Sequence, residues 1–395
     1  MATVTETRTN DLLAGAPLPP QMQPLDGDRE LDTVEMTINM GPQHPSTHGV
    51  FRMVLQLEGE RVRGVTPHIG YLHRGAEKLA EAASYAEVMI HLDRTEYLSA
   101  LLSEQCYCMA VEKLANLDVP ERAEYVRVIL AEFTRMVSHC MFYGAFGADS
   151  GATTPFTYAF ALREEIQQLL EFVSGARMFP NYFRPGGLKD EVPEGFEQKV
   201  RDTLDWAKRS IDDFDRLLSQ NEIFLARTRG VATITAEEAI NWGLSGPVLR
   251  STGMPIDVRR AEPYSIYDRF DFDIPVGTTG DCYERYLVRL EELRQSVRII
   301  EQALADLPDG PILGNVPKSL RTPAGECYQR VENSRGDFGV YIVSEQNKME
   351  PYRVKYRSPS YCNLQALEQM MVDNYVADTV LVLGSVDIVL GEVDR

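Results

Sequence analysis

The segment from Asp281 to Leu307 constrains the fold of this chain more than any other stretch. Tyr283, Tyr286, Leu290, Leu293, Val297, Ile300 and Leu304 recur every three or four residues. That spacing places them on one stripe of a long α-helix, and such a stripe needs other helices to bury it. Further helical signals surround it. Pro120 opens a helix through about Tyr143, with Gly144 and Gly147 expected to end it. Thr154-Pro155 reads as the N-cap and first turn of a helix running toward Ser174. Residues 196–220 read as a charged amphipathic helix, and Thr235 with Glu238 spells a capping box. Good helix formers also fill Glu77 to Ala115, with a break expected between. A bundle over residues 71–310 follows.

The flanks read differently. Phe51, Met53, Leu55 and Leu57 alternate with Arg52, Gln56 and Glu58, a half-buried strand, and VEMTINM (34–40) is its expected partner. The Gly- and Pro-rich GPQHPSTHG (Gly41 to Gly49) then connects two strands. Strands return at GVYIVSE and YRVKYRS, followed by a helix around Leu364 to Val376. The expected class is α+β, a helical bundle with small β elements near both termini. The expected divisions are a flexible extension over 1–30, a β-rich segment over 31–70, the bundle over 71–310 and an α/β segment over 311–395.

Charge narrows the function. With 40 Lys+Arg against 59 Asp+Glu, the formal charge is -19, which repels nucleic acid and anionic headgroups alike. No apolar run reaches the length of a membrane span. Any work at a membrane is therefore expected to depend on partner subunits. Cys106, Cys108, Cys140, Cys282, Cys327 and Cys362 show no CxxC spacing, and the N-terminus lacks a signal-peptide core. Free thiols in a reducing, bacterial-type cytoplasm are expected.

All six histidines lie between His44 and His139, four of them in GPQHPSTHG and HIGYLHRGAEK (68–78). Crowded imidazoles suggest metal binding, proton handling or a polar ligand site. His44 and His48 are flanked by Pro45 and Gly49, and His68 and His73 are five apart, so neither pair shares a helix face as an HExxH site requires. No metal site is expected. GxGxxG, the P-loop pattern and cysteine spacing for iron–sulfur ligation are missing too, so any electron carrier belongs to a different polypeptide.

GPQHPSTHG, HIGYLHRGAEK, DRTEY (93–97), SGARM followed by RPGG (174–187), TAEEAINWGLSGPVLR (235–250), GDCYERY (280–286) and the terminal GEVDR form an ordered set. Together they resemble the D polypeptide of respiratory complex I, the large hydrophilic component of NADH:quinone oxidoreductase. The likeness runs in order from about residue 34 to the end. It implies a fold like that of [NiFe]-hydrogenase large subunits. Those enzymes hold their metals with two CxxC pairs that are missing here, so the resemblance implies a former metal cavity reused for a quinone headgroup.

The resemblance also implies partners: the small iron–sulfur B polypeptide with a [4Fe–4S] cluster, the C polypeptide, the ferredoxin-like I polypeptide and the membrane H polypeptide. Quinone is the implied substrate, with no cofactor held by this chain alone and a peripheral place on the cytoplasmic side of a bacterial membrane. An equivalent component of a ferredoxin- or coenzyme F420-fed quinone or phenazine oxidoreductase, or a non-catalytic assembly scaffold, shares the outline. Ubiquinone and menaquinone both remain open.

Matched motif by motif, the resemblance places the headgroup ligands at His48 and Tyr97 and the acidic partner of the histidine at Asp149. Imidazole and phenol are donors to quinone carbonyls, and a nearby carboxylate favours imidazolium. From the residues alone, Asp149 reads equally as a turn residue and Tyr97 as a helix-face aromatic beside Leu98 and Leu101. Arg74 matches an arginine near the neighbouring polypeptide's cluster, its alternative being a helix-start ion pair with Glu77. Phe179 departs from the family, several of whose members carry a titratable histidine there. His139, inside RMVSHCMF, reads as a core histidine.

Overall fold

The Asp281–Leu307 stripe forms a helix over Cys282–Ala305, whose N-cap Asp281 accepts the Glu284 N–H at 2.8 Å. All seven stripe residues are buried, each contributing about 2 kcal/mol of hydrophobic stabilisation. Arg285, Arg289, Glu292 and Ser296 are buried as well. They form a polar stripe at helical spacing that apolar periodicity does not report.

The computed structural model describes residues 4–6 and 35–395. Its longer helices are α1 (Ala100–Ala115), α2 (Glu121–Asp149), α3 (Thr154–Ser174), α4 (Phe196–Phe214) and α5 (Cys282–Ala305). Near the C-terminus lie α6 (Thr379–Val386) and α7 (Leu390–Asp394). Helices α2, α3, α4 and α5 pack around one another as the bundle, and α1 lies between α2 and a C-terminal sheet. Among the described residues, no helix is long and apolar enough to cross a membrane.

Helix α2 runs six residues past Tyr143, correcting the expected stop. Gly144 and Gly147 instead sit where α3 crosses: an added Cβ would lie 3.3 Å from the Phe156 Cα and 3.1 Å from the Pro155 Cβ. They are close-packing glycines. The α3 cap also shifts by one residue, to Thr153, with Pro155 in the first turn and no side-chain cap bond. The capping box of Thr235 and Glu238 is present.

Strands β1 (Val4–Glu6), β2 (Glu35–Met40), β3 (Arg52–Glu58) and β4 (Arg61–His68) form an antiparallel sheet in that order. Of the expected flexible extension over residues 1–30, Val4–Glu6 is a strand paired with β2, and the rest lies outside the described residues. Met40 pairs with Met53, so residues 41–51 connect β2 to β3 as expected. Met53, Leu55 and Leu57 point into the core.

The C-terminal sheet contains β5 (Gly325–Asn333), β6 (Gly336–Ser344) and β7 (Arg353–Arg357). Strand β5 escapes sequence reading because its exposed half, GECYQR, carries few apolar residues. The helix expected around Leu364 to Val376 is two short helices, Pro359–Leu364 and Leu367–Met371. The stretch from Glu77 to Ala115 is also more broken than expected. It holds Ala76–Ala80, Val88–Asp93 and α1, with turns between them.

Candidate functional site

A cavity of about 850 Å³ opens where the β2–β3 connection, the end of α2, the turn before α1 and the α6–α7 junction meet. His48, Tyr97 and Asp149 all line it, from segments 49 and 52 residues apart in sequence. Leu98, Met141, Phe142 and Ile388 supply apolar wall, so the site offers a few polar groups in a largely apolar recess.

His48 follows a single 3-10 turn, Pro45–Thr47, and takes a left-handed conformation with φ 54°. Such a backbone is costly for a residue with a Cβ and persists only where its surroundings hold it. The buried Thr47 hydroxyl lies 2.8 Å from both the His44 and Gly49 carbonyls. Beyond it, Gly49 packs on the Leu390 side chain, where a Cβ would come within 2.8 Å.

The His48 Nε2 lies 2.7 Å from Asp149 Oδ2. Burial opposes charging of the imidazole, but the Asp149 hydrogen bond, the Asp149 charge and the Asp387 charge together hold its pKa above the ordinary 6.5. Asp149 is the last residue of α2, so the negative end of that helix adds to the preference for imidazolium. Nε2 is thus the ring nitrogen committed to Asp149, and His48 as a whole lines the cavity. Helix α6 approaches the pair at Gly384, where an added Cβ would lie 3.0 Å from Asp149 Oδ2 and 3.5 Å from His48 Nε2.

Tyr97 sits in a turn between Val88–Asp93 and α1, not on a helix face. Its ring rests against Gly391 of α7, where a Cβ would meet the ring carbon at 3.1 Å. Burial raises its pKa, so it stays a phenol at neutral pH.

A family model for the 49 kDa subunit of respiratory-chain NADH dehydrogenase matches residues 149–322 and 315–395. The NADH-quinone oxidoreductase D polypeptide of Desulforamulus reducens is 49% identical over 364 residues, covering 92% of this chain and 99% of that protein. The D polypeptide of Geobacillus kaustophilus is 50% identical over 365 residues, with the same coverage of each chain. The chain belongs to the 49 kDa, or D-type, family of NADH-quinone oxidoreductase subunits.

In this D-type family member Arg74 lies outside the cavity. It is exposed and donates to the Arg94 carbonyl. Its expected alternative partner, Glu77, instead binds Lys355 at 2.9 Å. Arg94 stacks over Phe179, its guanidinium carbon 4.9 Å from the ring centre. The terminal GEVDR anchors the loop that precedes Arg74: Asp394 accepts the Gly70 and Leu72 N–H groups at 2.8 and 2.7 Å. The remaining histidines divide. His44 also lines the cavity, whereas His139 is buried against Glu292 at 2.8 Å. His73 lies 2.6 Å from the Asp394 carbonyl.

Two residues of the site escaped sequence reading. Asp387 lines the cavity from the C-cap of α6, with φ 58° and its Oδ2 buried without a hydrogen bond. Arg335, fully buried in the β5–β6 turn, reaches the Asp387 main-chain carbonyl at 2.8 Å and Glu96 at 2.9 Å. The signal for Asp387 was present, since it interrupts the apolar run VLVLGSVDIVLG.

Proposed function

We propose that this chain is the quinone-site component of a proton-translocating NADH:quinone oxidoreductase, holding the headgroup between His48 and Tyr97. The convergence of His48, Tyr97 and Asp149 on one largely apolar cavity carries this reading. A quinone carbonyl only accepts hydrogen bonds, and this site presents an imidazole N–H and a phenol O–H as donors. Reduction of quinone to quinol takes up two electrons and two protons. His48, charged through Asp149, supplies one proton to a carbonyl oxygen, and Tyr97 supplies the other. Both donors also stabilise the negative charge that builds as electrons arrive. The electrons come from a [4Fe–4S] cluster carried by the small B polypeptide. This chain holds no cofactor of its own, and Arg74 with Arg94 forms a cationic corner suited to face that cluster.

The C polypeptide, the ferredoxin-like I polypeptide and the membrane H polypeptide complete the surroundings in this reading. They hold the acidic chain at the cytoplasmic face of the bacterial membrane. Tyr97→Phe in the intact complex tests the assignment. The complex assembles and passes electrons from NADH to an artificial acceptor upstream of the site, while quinone reduction falls about 100-fold, the scale of losing one transition-state donor. Near-normal quinone turnover removes Tyr97 from the chemistry.

A further inference from the structure

Behind Tyr97 lies a group of buried acids, of which Asp387 lines the cavity while Glu96 and Glu392 do not. Glu96 and Asp387 both face the Arg335 guanidinium, at 2.9 and 3.4 Å. The third acid, Glu392, has no ion-pair partner among the described residues, although it is fully buried. One of its oxygens accepts the Ser360 hydroxyl, and the other, Oε1, has no hydrogen bond at all. It follows directly on Gly391, which carries the Tyr97 ring. A buried carboxylate with so little to solvate it is costly, and a neutral carboxyl is not.

We propose that Glu392 is a positioning residue for the Tyr97 side of the quinone pocket, kept neutral so that Arg335 serves Glu96 and Asp387 alone. Loss of its proton places a third negative charge before Arg335. The guanidinium is then drawn from Asp387 and Glu96, and the cavity wall and the Tyr97 turn lose their shared anchor. The groups facing Glu392 agree with this. Burial raises its pKa first and Glu96 raises it further, while Ser360 and Arg335 lower it only in part, leaving it at about 8. The Cys362 thiol, on the short helix that carries Ser360, is also raised and remains neutral. The device therefore holds at neutral pH and releases in mildly alkaline solution.

The inference rests on the quinone-site reading, and its test separates the two. In the intact complex, Glu392→Gln imitates the neutral acid and retains at least half of the quinone reductase activity at pH 7. In the parent, log(kcat/KM) for quinone falls above pH 8 with a slope steeper than about −1, because His48 and Glu392 both lose protons. In Glu392→Gln the slope stays near −1. Unchanged steepness, or a tenfold loss at pH 7 in an assembled complex, overturns the proposal. If the Gln variant does not assemble, Ser360→Ala decides: it removes the bond that lowers the Glu392 pKa, so the steep limb moves to higher pH, and an unmoved limb overturns the idea. Normal turnover in Tyr97→Phe removes Tyr97 from the quinone-site reading on which this inference rests. A dead Tyr97→Phe together with an unaltered Glu392→Gln profile rejects only the role of Glu392.

Discussion

At the scale of the residue, the chemistry depends on how long His48 keeps its proton. Burial alone would make the imidazole neutral, and Asp149 at 2.7 Å outweighs it. The raised pKa sets the sign. The charged pair is complete below the ordinary value of 6.5 and is lost as pH climbs through the raised folded value. Asp149→Asn leaves burial opposed only by Asp387, so the alkaline limb of kcat/KM for quinone moves to lower pH. Activity at pH 7 drops while electron transfer to an upstream acceptor is retained. A limb that stays in place in an assembled Asp149→Asn complex excludes Asp149 from tuning His48. Asp149→Glu keeps the charge and restores part of the shift.

At the scale of the element, the cavity depends on glycines that let helix backbones come near the reacting side chains. Gly384→Ala places a methyl 3.0 Å from Asp149 Oδ2, against a carboxylate that has little room to retreat. The expected result is an assembled complex whose alkaline limb shifts in the same direction as Asp149→Asn, but less. An unshifted pH profile shows that α6 does not brace the pair. The sequence carried strands β2 and β3 and the amphipathic faces well, because one-sided burial writes itself into residue order, as in Met53, Leu55 and Leu57. It misled at Gly144 and Gly147, where the same residue type that ends helices instead admits a neighbouring helix. It also misplaced Tyr97, since helix formers on both sides suggest a helix face, whereas the residue lies in a turn with its ring against Gly391 of α7. The resemblance singled out His48, Tyr97 and Asp149, and the fold brings these three to one cavity. Asp387 showed only as a charge interrupting an apolar run, and Arg335 not at all, because its partners Glu96 and Asp387 lie on elements distant in sequence.

At the scale of the whole molecule, a buried charge network ties the bundle to the C-terminal sheet. Arg250 contacts Glu292 of α5 at 2.5 Å, Glu332 of β5 at 2.7 Å and Asp257 at 3.7 Å. Arg259 joins Asp257 to Glu132 of α2, which also meets Arg135. Four acids thus face three arginines. Burial and the neighbouring Asp257 push Glu332 up to about 7 despite Arg250, so at neutral pH the excess acid is partly protonated. Networks of this kind add little net stability when complete, but removing one member strands the others without solvent. Arg250→Met exposes three carboxyl groups to that loss and is expected to cost about 3–5 kcal/mol. Arg298, paired with Asp271 and Asp273 at the surface, is the control, since Arg298→Ala costs under about 1 kcal/mol. Thermal unfolding of the purified complexes measures the difference. A midpoint for Arg250→Met as high as that for Arg298→Ala means that the surrounding carboxyl groups simply take up protons, and that the network does not hold the bundle and sheet together.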